Sequence, residues 1–213
     1  MSDPATGKAT SNYHSPLRAR QAAETRRSVV DAALELFAAQ GWAATSLPAI
    51  ASRAGVSVDT IYSTFGTKSA LLMAVVDVAI VGDDAADPMA ERDDFALFAK
   101  GRRPERLRTG VRYTMDVYLR SLPIIATLRE AAASDEAARA RLAQYDDDRR
   151  NLIAAGMELI LGRAPSEDLT DAIWALLSPE VYRYLLEGRG WSSAQAEDWF
   201  VAMAAAAIAA ARG

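Results

Sequence analysis

The stretch of sequence that decides the fold runs from Thr45 to Lys68 and reads TSLPAIASRAGVSVDTIYSTFGTK. Its first half predicts a short helix that ends at about Ala54, and Gly55 follows as a helix breaker. Ser57 is a candidate cap for a second short helix, residues 58–65. Two short helices joined by a tight turn that contains a glycine form the helix-turn-helix pattern. The bare pattern is also compatible with an ordinary helical hairpin.

The remainder of the chain is patterned as a series of helices. In several segments apolar residues recur every three to four positions, which is the period of an amphipathic helix. The segments predicted to be helical are 24–40, 67–79, 104–121, 122–133, 135–161, 167–186 and 193–211. No run of alternating apolar and polar residues predicts a strand. We therefore expect an all-α fold of about nine helices.

Domain boundaries follow from the breaks between these segments. Residues 1–22 have no apolar period and predict a flexible basic arm, and residues 23–66 predict a three-helix DNA-binding domain. Residues 67–81 predict a connecting helix. Residues 82–213 predict a larger helical domain, and its first part, 82–103, is interpreted as a linker because Asp, Pro and Gly interrupt it.

Composition removes several classes of chemistry. The 213 residues include no Cys and one His, His14, which lies in the polar N-terminal arm. Thiol catalysis, disulfides, Cys/His zinc sites and di-iron sites built from Glu-x-x-His pairs are therefore excluded. A Ser-His-Asp hydrolase would have to recruit His14. We expect no catalytic residue, no metal and no cofactor, and a chain that is not an enzyme.

Charge is distributed unevenly along the chain. There are 24 Lys and Arg residues against 28 Asp and Glu residues, a net charge of -4. Residues 1–70 carry seven basic and five acidic residues, so the negative excess lies after them. This asymmetry indicates an N-terminal part that meets phosphate and a larger part that does not.

Neither a signal peptide nor a membrane segment is predicted. The first 16 residues are polar and lack an apolar core. The most apolar stretch, 201–211, is well short of the roughly 20 residues that a spanning helix needs. We expect a cytoplasmic protein with no membrane partner.

The residues around the helix-turn-helix resemble the N-terminal DNA-binding region of the tetracycline-repressor (TetR) family of bacterial regulators. The resemblance extends from about Arg26 to Val76, with many positions in register. It is carried by Phe37, Gly41, Thr45, Ile50, Ala51, Ala54, Gly55, Val56, Ser57, Thr60, Tyr62, Phe65, Lys68, Leu71 and Leu72. The stretches 178–183 and 190–192 also resemble members of this family. The resemblance implies a homodimer that binds DNA through its N-terminal domain and a small molecule through its C-terminal domain.

Candidate DNA contacts lie in the arm and at the starts of the two short helices, the second of which is the expected recognition helix. The candidates are Thr45, Ser46, Ser57, Val58, Asp59, Thr60, Tyr62, Ser63, Lys68, Arg18 and Arg20. Val58 suits a thymine methyl group, and Asp59 suits either a cytosine amino group or the positive end of its own helix. The resemblance gives Tyr62 and Lys68 phosphate contacts. Arg18 and Arg20 either bring the arm into an adjacent minor groove or belong to a solvated tail.

The C-terminal domain is expected to hold a ligand cavity and a dimer interface, both implied by the resemblance. Candidate ligand contacts, which are alternatively plain core, are Tyr113, Met115, Tyr118, Leu119, Arg149, Met157, Trp174 and Tyr182. Candidate interface residues form one apolar stripe on each of the last two predicted helices: Ile173, Leu177, Val181, Leu185, Trp199, Phe200, Met203 and Ala207. Such stripes would build a four-helix interface in a homodimer or cover the ligand domain of a monomer.

These observations lead to a hypothesis about function. We expect a sequence-specific transcriptional regulator, a repressor that an unidentified small molecule releases from a near-palindromic double-stranded DNA operator. Two alternatives stay open: a helical carrier or enzyme with a vestigial helix-turn-helix, and a ligand-independent activator. The lack of any spacing that pairs a nucleophile with a base stands against the enzyme.

Overall fold

The computed structural model describes residues 16–82 and 89–211, and every regular element in these ranges is helical, as predicted. The helices are α1 (Pro16–Ala44), α2 (Leu47–Ala54), α3 (Val58–Phe65), α4 (Lys68–Val81), α5 (Asp93–Ala96), α6 (Arg103–Ala132), α7 (Glu136–Leu161), α8 (Glu167–Leu176), α9 (Pro179–Arg183) and α10 (Ser193–Ala210). Short 3-10 turns flank α5, and a π-helical turn, Tyr184–Gly188, follows α9. Within these ranges no single helix is long and apolar enough to cross a membrane; one bent pair, α3 with α4, meets the length and composition requirement.

The first helix begins earlier than expected. The prediction of a flexible arm is wrong for residues 16–22, which form the first turns of α1, and the rest of the arm lies outside the described residues. Good helix formers fill these turns, and Arg20 pairs with Glu24 one turn later at 2.9 Å. The predicted stop at Gly41 is a kink, where φ is 75° and ψ is -172°. A last short turn then leads to Ala44.

α6 is one helix where two were predicted. It continues through Pro123, although a proline inside a helix costs about 3 kcal/mol because it lacks an N–H and crowds the preceding turn. Ile124, Ile125 and Leu128 follow it immediately and are buried against α1 and α4. Tertiary packing of this half of the helix therefore offsets the local cost.

The segment 167–186, by contrast, is broken where one helix was predicted. Leu177 leaves the helical conformation, and Ser178 is extended with φ of -82° and ψ of 146°. The Ser178 hydroxyl accepts the N–H of Val181 at 3.2 Å and caps α9, whose first residue is Pro179. A residue before proline avoids the helical region, so this break could have been predicted from the sequence.

The helices enclose two apolar cores. The first is built by α1 to α4, the C-terminal half of α6 and the beginning of α7. The second is built by α5, the N-terminal half of α6, the rest of α7 and α8 to α10. Phe95 and Phe98 are buried in the second core, so residues 89–99 are packed structure and the linker interpretation is wrong for them. α6 has 30 residues and spans about 45 Å, which brings one continuous helix into both cores.

Candidate DNA-binding surface and ligand cavity

α2 and α3 form a helix-turn-helix in the predicted stretch. Gly55 ends α2 in the left-handed conformation, with φ of 70° and ψ of 31°, which suits a residue without a side chain. The Ser46 hydroxyl accepts the N–H of Ala49 at 3.3 Å, and the Ser57 hydroxyl accepts the N–H of Thr60 at 3.1 Å. Both serines therefore cap their helices, and both are exposed.

α3 is fixed to the first core by one fully buried side chain, that of Ile61, which is 1% exposed. Val58 is half-buried against the same core. Asp59 and Ser63 are exposed, and Tyr62 is 54% exposed. Asp59 lies in the first turn, where a carboxylate is also favoured by the helix dipole. The helix thus turns a polar face with one large aromatic side chain toward solvent.

Two predicted DNA contacts serve the fold instead. Thr45 is 1% exposed, and its hydroxyl donates to carbonyl oxygens near the end of α1 at 2.8 and 3.2 Å, so its side chain does not face DNA; a phosphate contact through the N–H groups at the start of α2 stays a prediction. The Lys68 ammonium donates to the Trp42 carbonyl and lies 4.0 Å from the centroid of the Trp42 ring. Burial lowers the pKa of Lys68, and the Glu130 carboxylate opposes that shift. Lys68 is thus bonded within the domain.

The basic residues at the start of α1 are held on a helix. Arg18 and Arg20 are exposed there, and Arg20 pairs with Glu24. Arg26, which was not a predicted contact, lies with its guanidinium carbon 4.6 Å from the centroid of the Phe65 ring of α3. The part of α1 around Arg26 therefore lies beside α3.

A cavity of about 500 Å³ lies in the C-terminal half of the chain, within the range of small-molecule sites. α6 and α7 supply most of its walls, and the C-terminal end of α4 forms another side. Phe95, Phe98 and Tyr113 line it as an aromatic cluster, with ring centroids of Phe98 4.6 Å from Phe95 and 5.3 Å from Tyr113. The cavity is therefore largely apolar and in contact with the helix that follows α3.

Half of the predicted ligand contacts line this cavity: Tyr113, Tyr118, Arg149 and Met157. Of the others, Met115 and Tyr182 are buried in the surrounding core. Trp174 lies under the Arg149 guanidinium at 4.4 Å, and Leu119 is 55% exposed on the outside. None of these four residues lines the cavity. For the buried ones the reason is that helical periodicity selects a buried face without distinguishing a cavity wall from a filled core.

Other cavity residues were missed. Phe95 and Phe98 form the only aromatic pair in the acidic segment 82–103, and that was a usable signal. Arg141, Tyr145 and Arg149 all line the cavity and are spaced four residues apart, which places them on one face of α7. Burial raises the pKa of Tyr145, with Arg149 opposing the shift.

Residues 29–75 match the family described as bacterial regulatory proteins, tetR family. The match covers α1 from residue 29 to its end, both helices of the helix-turn-helix and α4 as far as residue 75. The N-terminal region belongs to the TetR family. We call residues 29–75 the TetR-family region; it contains α2 and α3 with the geometry described above.

Two curated relatives and one solved structure extend the comparison. The HTH-type transcriptional regulator SrpR of Pseudomonas putida is 45% identical over 58 residues, which cover 27% of this chain and 27% of SrpR. The uncharacterized HTH-type transcriptional regulator TtgW, also of Pseudomonas putida, is 45% identical over 58 residues, 27% of this chain and 43% of TtgW. The match thus spans less than half the length of either relative. A tetR-family transcriptional regulator from Streptomyces coelicolor has the same fold, with a TM-score of 0.67 at 22% identity over 89% of this chain and 82% of that one.

The C-terminal helices of the chain do not expose the predicted interface stripes in full. Ile173, Leu177 and Phe200 are 1%, 6% and 1% exposed and pack in the second core, so they are wrong as interface residues. Val181, Leu185, Trp199 and Ala207 are half-buried against that core, and Met203 is 39% exposed. The apolar stripes that the sequence shows on these two helices therefore pack against the second core of the same chain.

The opposite face of α10 is apolar and exposed. Its exposed residues are Ala202, Met203, Ala205, Ala206, Ala209 and Ala210. No charged residue occurs between Trp199 and Ala211. A solvated helix face normally carries charged side chains, so this face is unusual for a surface that stays in contact with water.

A polar contact between α6 and the TetR-family region was also missed. The Glu130 carboxylate accepts the N–H groups of Trp42 and Ala43 at 2.7 and 2.9 Å, directly after the kink at Gly41. These hydrogen bonds hold the pKa of the Glu130 carboxyl below its usual value, and Lys68 adds to the effect. Nearly ninety positions separate the partners in sequence, so no local pattern indicates the contact. We refer to Glu130 with these two N–H groups as the Glu130 clamp.

Proposed function

We propose that this chain is a transcriptional regulator that binds a near-palindromic operator as a homodimer and acts as a repressor released by a small molecule. The observation that supports DNA binding is the way in which α3 is anchored to the first core and exposed to solvent. Ile61 anchors it, while Asp59, Tyr62 and Ser63 are exposed on one short helix. A helix presented in this way fits a major groove about 12 Å wide.

The proposed contacts divide between bases and phosphates. Asp59 and Ser63 are placed to meet base edges, with Val58 and Thr60 as half-buried neighbours. The Tyr62 hydroxyl is suited to a phosphate, and the exposed N-terminal ends of α2 and α3 add backbone N–H groups and a favourable dipole. Arg18 and Arg20 extend the basic surface along α1. We propose that Lys68 supports the DNA-binding surface and does not itself contact phosphate, because its ammonium is bonded to the Trp42 carbonyl.

The proposal of a homodimer rests on the outer face of α10. Its alanines would allow two copies of the helix to approach closely, and its lack of charge removes the cost of desolvating ions. Two recognition helices about 34–36 Å apart, one turn of DNA, would then read the two halves of a near-palindrome. The isologous symmetry of such a dimer matches the symmetry of the site.

The proposal that a ligand releases the protein from DNA rests on two helices, α4 and α6, that line the cavity and also reach the DNA-binding region. α4 begins at Lys68, shortly after α3 ends, and its far end, with Ile80 and Val81, forms part of the cavity wall. α6 lines the cavity with its first half and carries the Glu130 clamp in its second half. A ligand that binds more tightly to the form with unsuitable spacing between recognition helices would lower operator affinity by that difference. We propose no catalysis by this cavity.

The testing experiment is selection of DNA from a random duplex pool by the full chain at about 150 mM salt, where nonspecific phosphate binding is weakened. Enrichment of an inverted repeat supports the proposal. Tyr62→Ala should weaken binding to the enriched sequence, whereas Tyr184→Ala should not, because Tyr184 is equally exposed, at 57% against 54%, but lies far along the chain after α9. No enrichment by a well-folded chain would shift the function to a carrier. A run-off transcription assay then separates repression from activation.

A further inference from the structure

Arg149 brings a poorly compensated positive charge to the cavity wall. Its side chain is 9% exposed. Nη1 donates to the carbonyl oxygens of Trp174 at 2.8 Å and Leu177 at 3.2 Å, while Nε is buried and has no hydrogen-bond partner among the residues that the structure describes. The nearest carboxylate oxygen, on Asp146, is 4.0 Å from Nε, beyond hydrogen-bonding distance. Neutral carbonyl groups orient the guanidinium but leave its charge unmatched.

Arg141, two turns earlier on the same face of α7, repeats this arrangement more weakly. Its Nη2 lies 2.8 Å from Asp77 Oδ1, and its Nη1 is buried with no hydrogen-bond partner within residues 16–82 and 89–211. The Arg141 side chain is 19% exposed, whereas that of Asp77 is 64% exposed. Two carboxylate residues, Asp77 and Asp148, also line the cavity, and both are exposed. The positive charges at the cavity are therefore mostly buried, whereas the carboxylates beside them lie largely in solvent.

A purely structural role explains only part of this geometry. The Arg149 guanidinium lies at the C-terminal end of α8 and over the Trp174 ring, where a cation is favoured by the helix dipole and by the ring. That role accounts for Nη1. It does not account for the unpartnered Nε, nor for the unpartnered Nη1 of Arg141, since both groups lose hydration without gaining an acceptor.

We propose that the cavity binds a molecule with an apolar body and a single carboxylate, and that Arg149, assisted by Arg141, binds the carboxylate. The apolar body packs against the cluster of Phe95, Phe98 and Tyr113. This inference rests on the proposed function and names the chemical class of its ligand. A guanidinium presents a planar array of donors that matches a carboxylate, and the low dielectric of an apolar cavity strengthens the pair.

Calorimetric titration of the full chain with matched probes tests the inference. The probes are 2-naphthoate and decanoate, each compared with its uncharged amide, so that shape is nearly constant and charge is not. Wild-type protein should bind at least one carboxylate about tenfold or more tightly than its amide, the range expected for hydrogen bonds to charged groups. Arg149→Met should abolish this preference, and Arg141→Met should reduce it.

Arg150→Met is the matched control. Arg150 is the next residue on α7, pairs with Asp171 at 2.6 Å and does not line the cavity, so its loss should leave the preference unchanged. If Arg149→Met loses its helical circular dichroism, Arg149→Lys replaces it, because a lysine keeps the charge without the planar donors and should retain part of the preference.

The outcomes separate the inference from the proposed function. Equal binding of acid and amide, binding of neither, or an unchanged preference in folded Arg149→Met would each overturn the inference. Operator release is measured separately, by adding the bound carboxylate to the protein–DNA complex. Selective binding without release supports the inference and removes the release step from the proposed function.

Discussion

Replacing Gly41 by alanine tests how α6 holds the TetR-family region. Gly41 has φ of 75° and ψ of -172°, a conformation that residues with a side chain rarely adopt and that costs them about 1–3 kcal/mol. A Cβ atom at this position would also lie 2.6 Å from Glu130 Oε2. The carboxylate would have to move, and the Glu130 clamp on Trp42 and Ala43 would open. Gly41→Ala therefore combines backbone strain with loss of the clamp.

Gly55→Ala is the matched control. Gly55 also has a positive φ, 70°, but a Cβ atom there would meet nothing within 4 Å. Its left-handed conformation costs an alanine about 1–2 kcal/mol. In a chain of this length each kcal/mol corresponds to about 2–4 °C in Tm. We expect Gly55→Ala to lower Tm by about 2–8 °C, and Gly41→Ala to lower it by clearly more.

The assay is thermal unfolding followed by circular dichroism at 222 nm, with both substitutions repeated in a Glu130→Ala background. There the clash disappears and the clamp is already lost, so the extra effect of Gly41→Ala should shrink to backbone strain, while Gly55→Ala keeps its full effect. The reasoning is refuted if Gly41→Ala costs no more than Gly55→Ala in the wild-type chain. It is equally refuted if the difference between them is as large in the Glu130→Ala background as in the wild-type chain.

Three further predictions address the buried hydroxyl, pH dependence and the dimer. Thr45→Val should destabilise the chain by about 1–3 kcal/mol in urea unfolding, because two carbonyl oxygens lose their buried donor; unchanged stability would return Thr45 to the DNA surface. The folded-state pKa of Glu130 is lowered, so its stabilisation is present above the unfolded pKa of about 4.3 and is lost as pH falls through the folded value. The Tm of wild type should therefore converge on that of Glu130→Gln as the pH falls from about 5 to about 3, and a constant difference would contradict the clamp. Met203→Glu should yield monomers in sedimentation velocity while Leu97→Glu, at an equally exposed residue (40% against 39%), stays dimeric; a dimer in both variants would place the interface elsewhere.

The sequence allowed α3 to be predicted to the residue, and α2 approximately, because the signals of a helix-turn-helix are local. Ser57 caps α3 through a hydrogen bond to a residue three positions away, and Gly66 ends the helix with a φ of 78°. Both are properties of single residues and their neighbours. The start of α1 was not predicted, because residues 16–22 have good helix propensity but lack the apolar period from which the helices were predicted.

Errors in the C-terminal half come from tertiary contacts that no short pattern encodes. Pro123 predicts a helix end unless the burial of Ile124 and Leu128 in the core of the other half is known. Ile173 and Phe200 form apolar stripes that periodicity detects, but the direction in which a stripe faces depends on the whole packing arrangement. The exposed alanine face of α10 gave no periodic signal, since alanine occurs on both of its sides.

The two long connections between the halves constrain how a ligand could act on DNA. α4 and α6 each touch the cavity and each reach the TetR-family region, but they contact it at different points: α4 next to α3, and α6 at the Glu130 clamp beyond Gly41. If α6 moved alone, Glu130 would be displaced from the N–H groups of Trp42 and Ala43. If α4 moved alone, α3 would rotate relative to the Glu130 clamp. A carboxylate held by Arg149 on α7 would act on both, because α7 contacts α6 and α4 as well. Coupling energies of about 1–3 kcal/mol, typical of allosteric proteins, correspond to a change of about 5- to 150-fold in operator affinity. Loss of the Glu130 clamp should therefore reduce the response to ligand even where the DNA contacts themselves are intact.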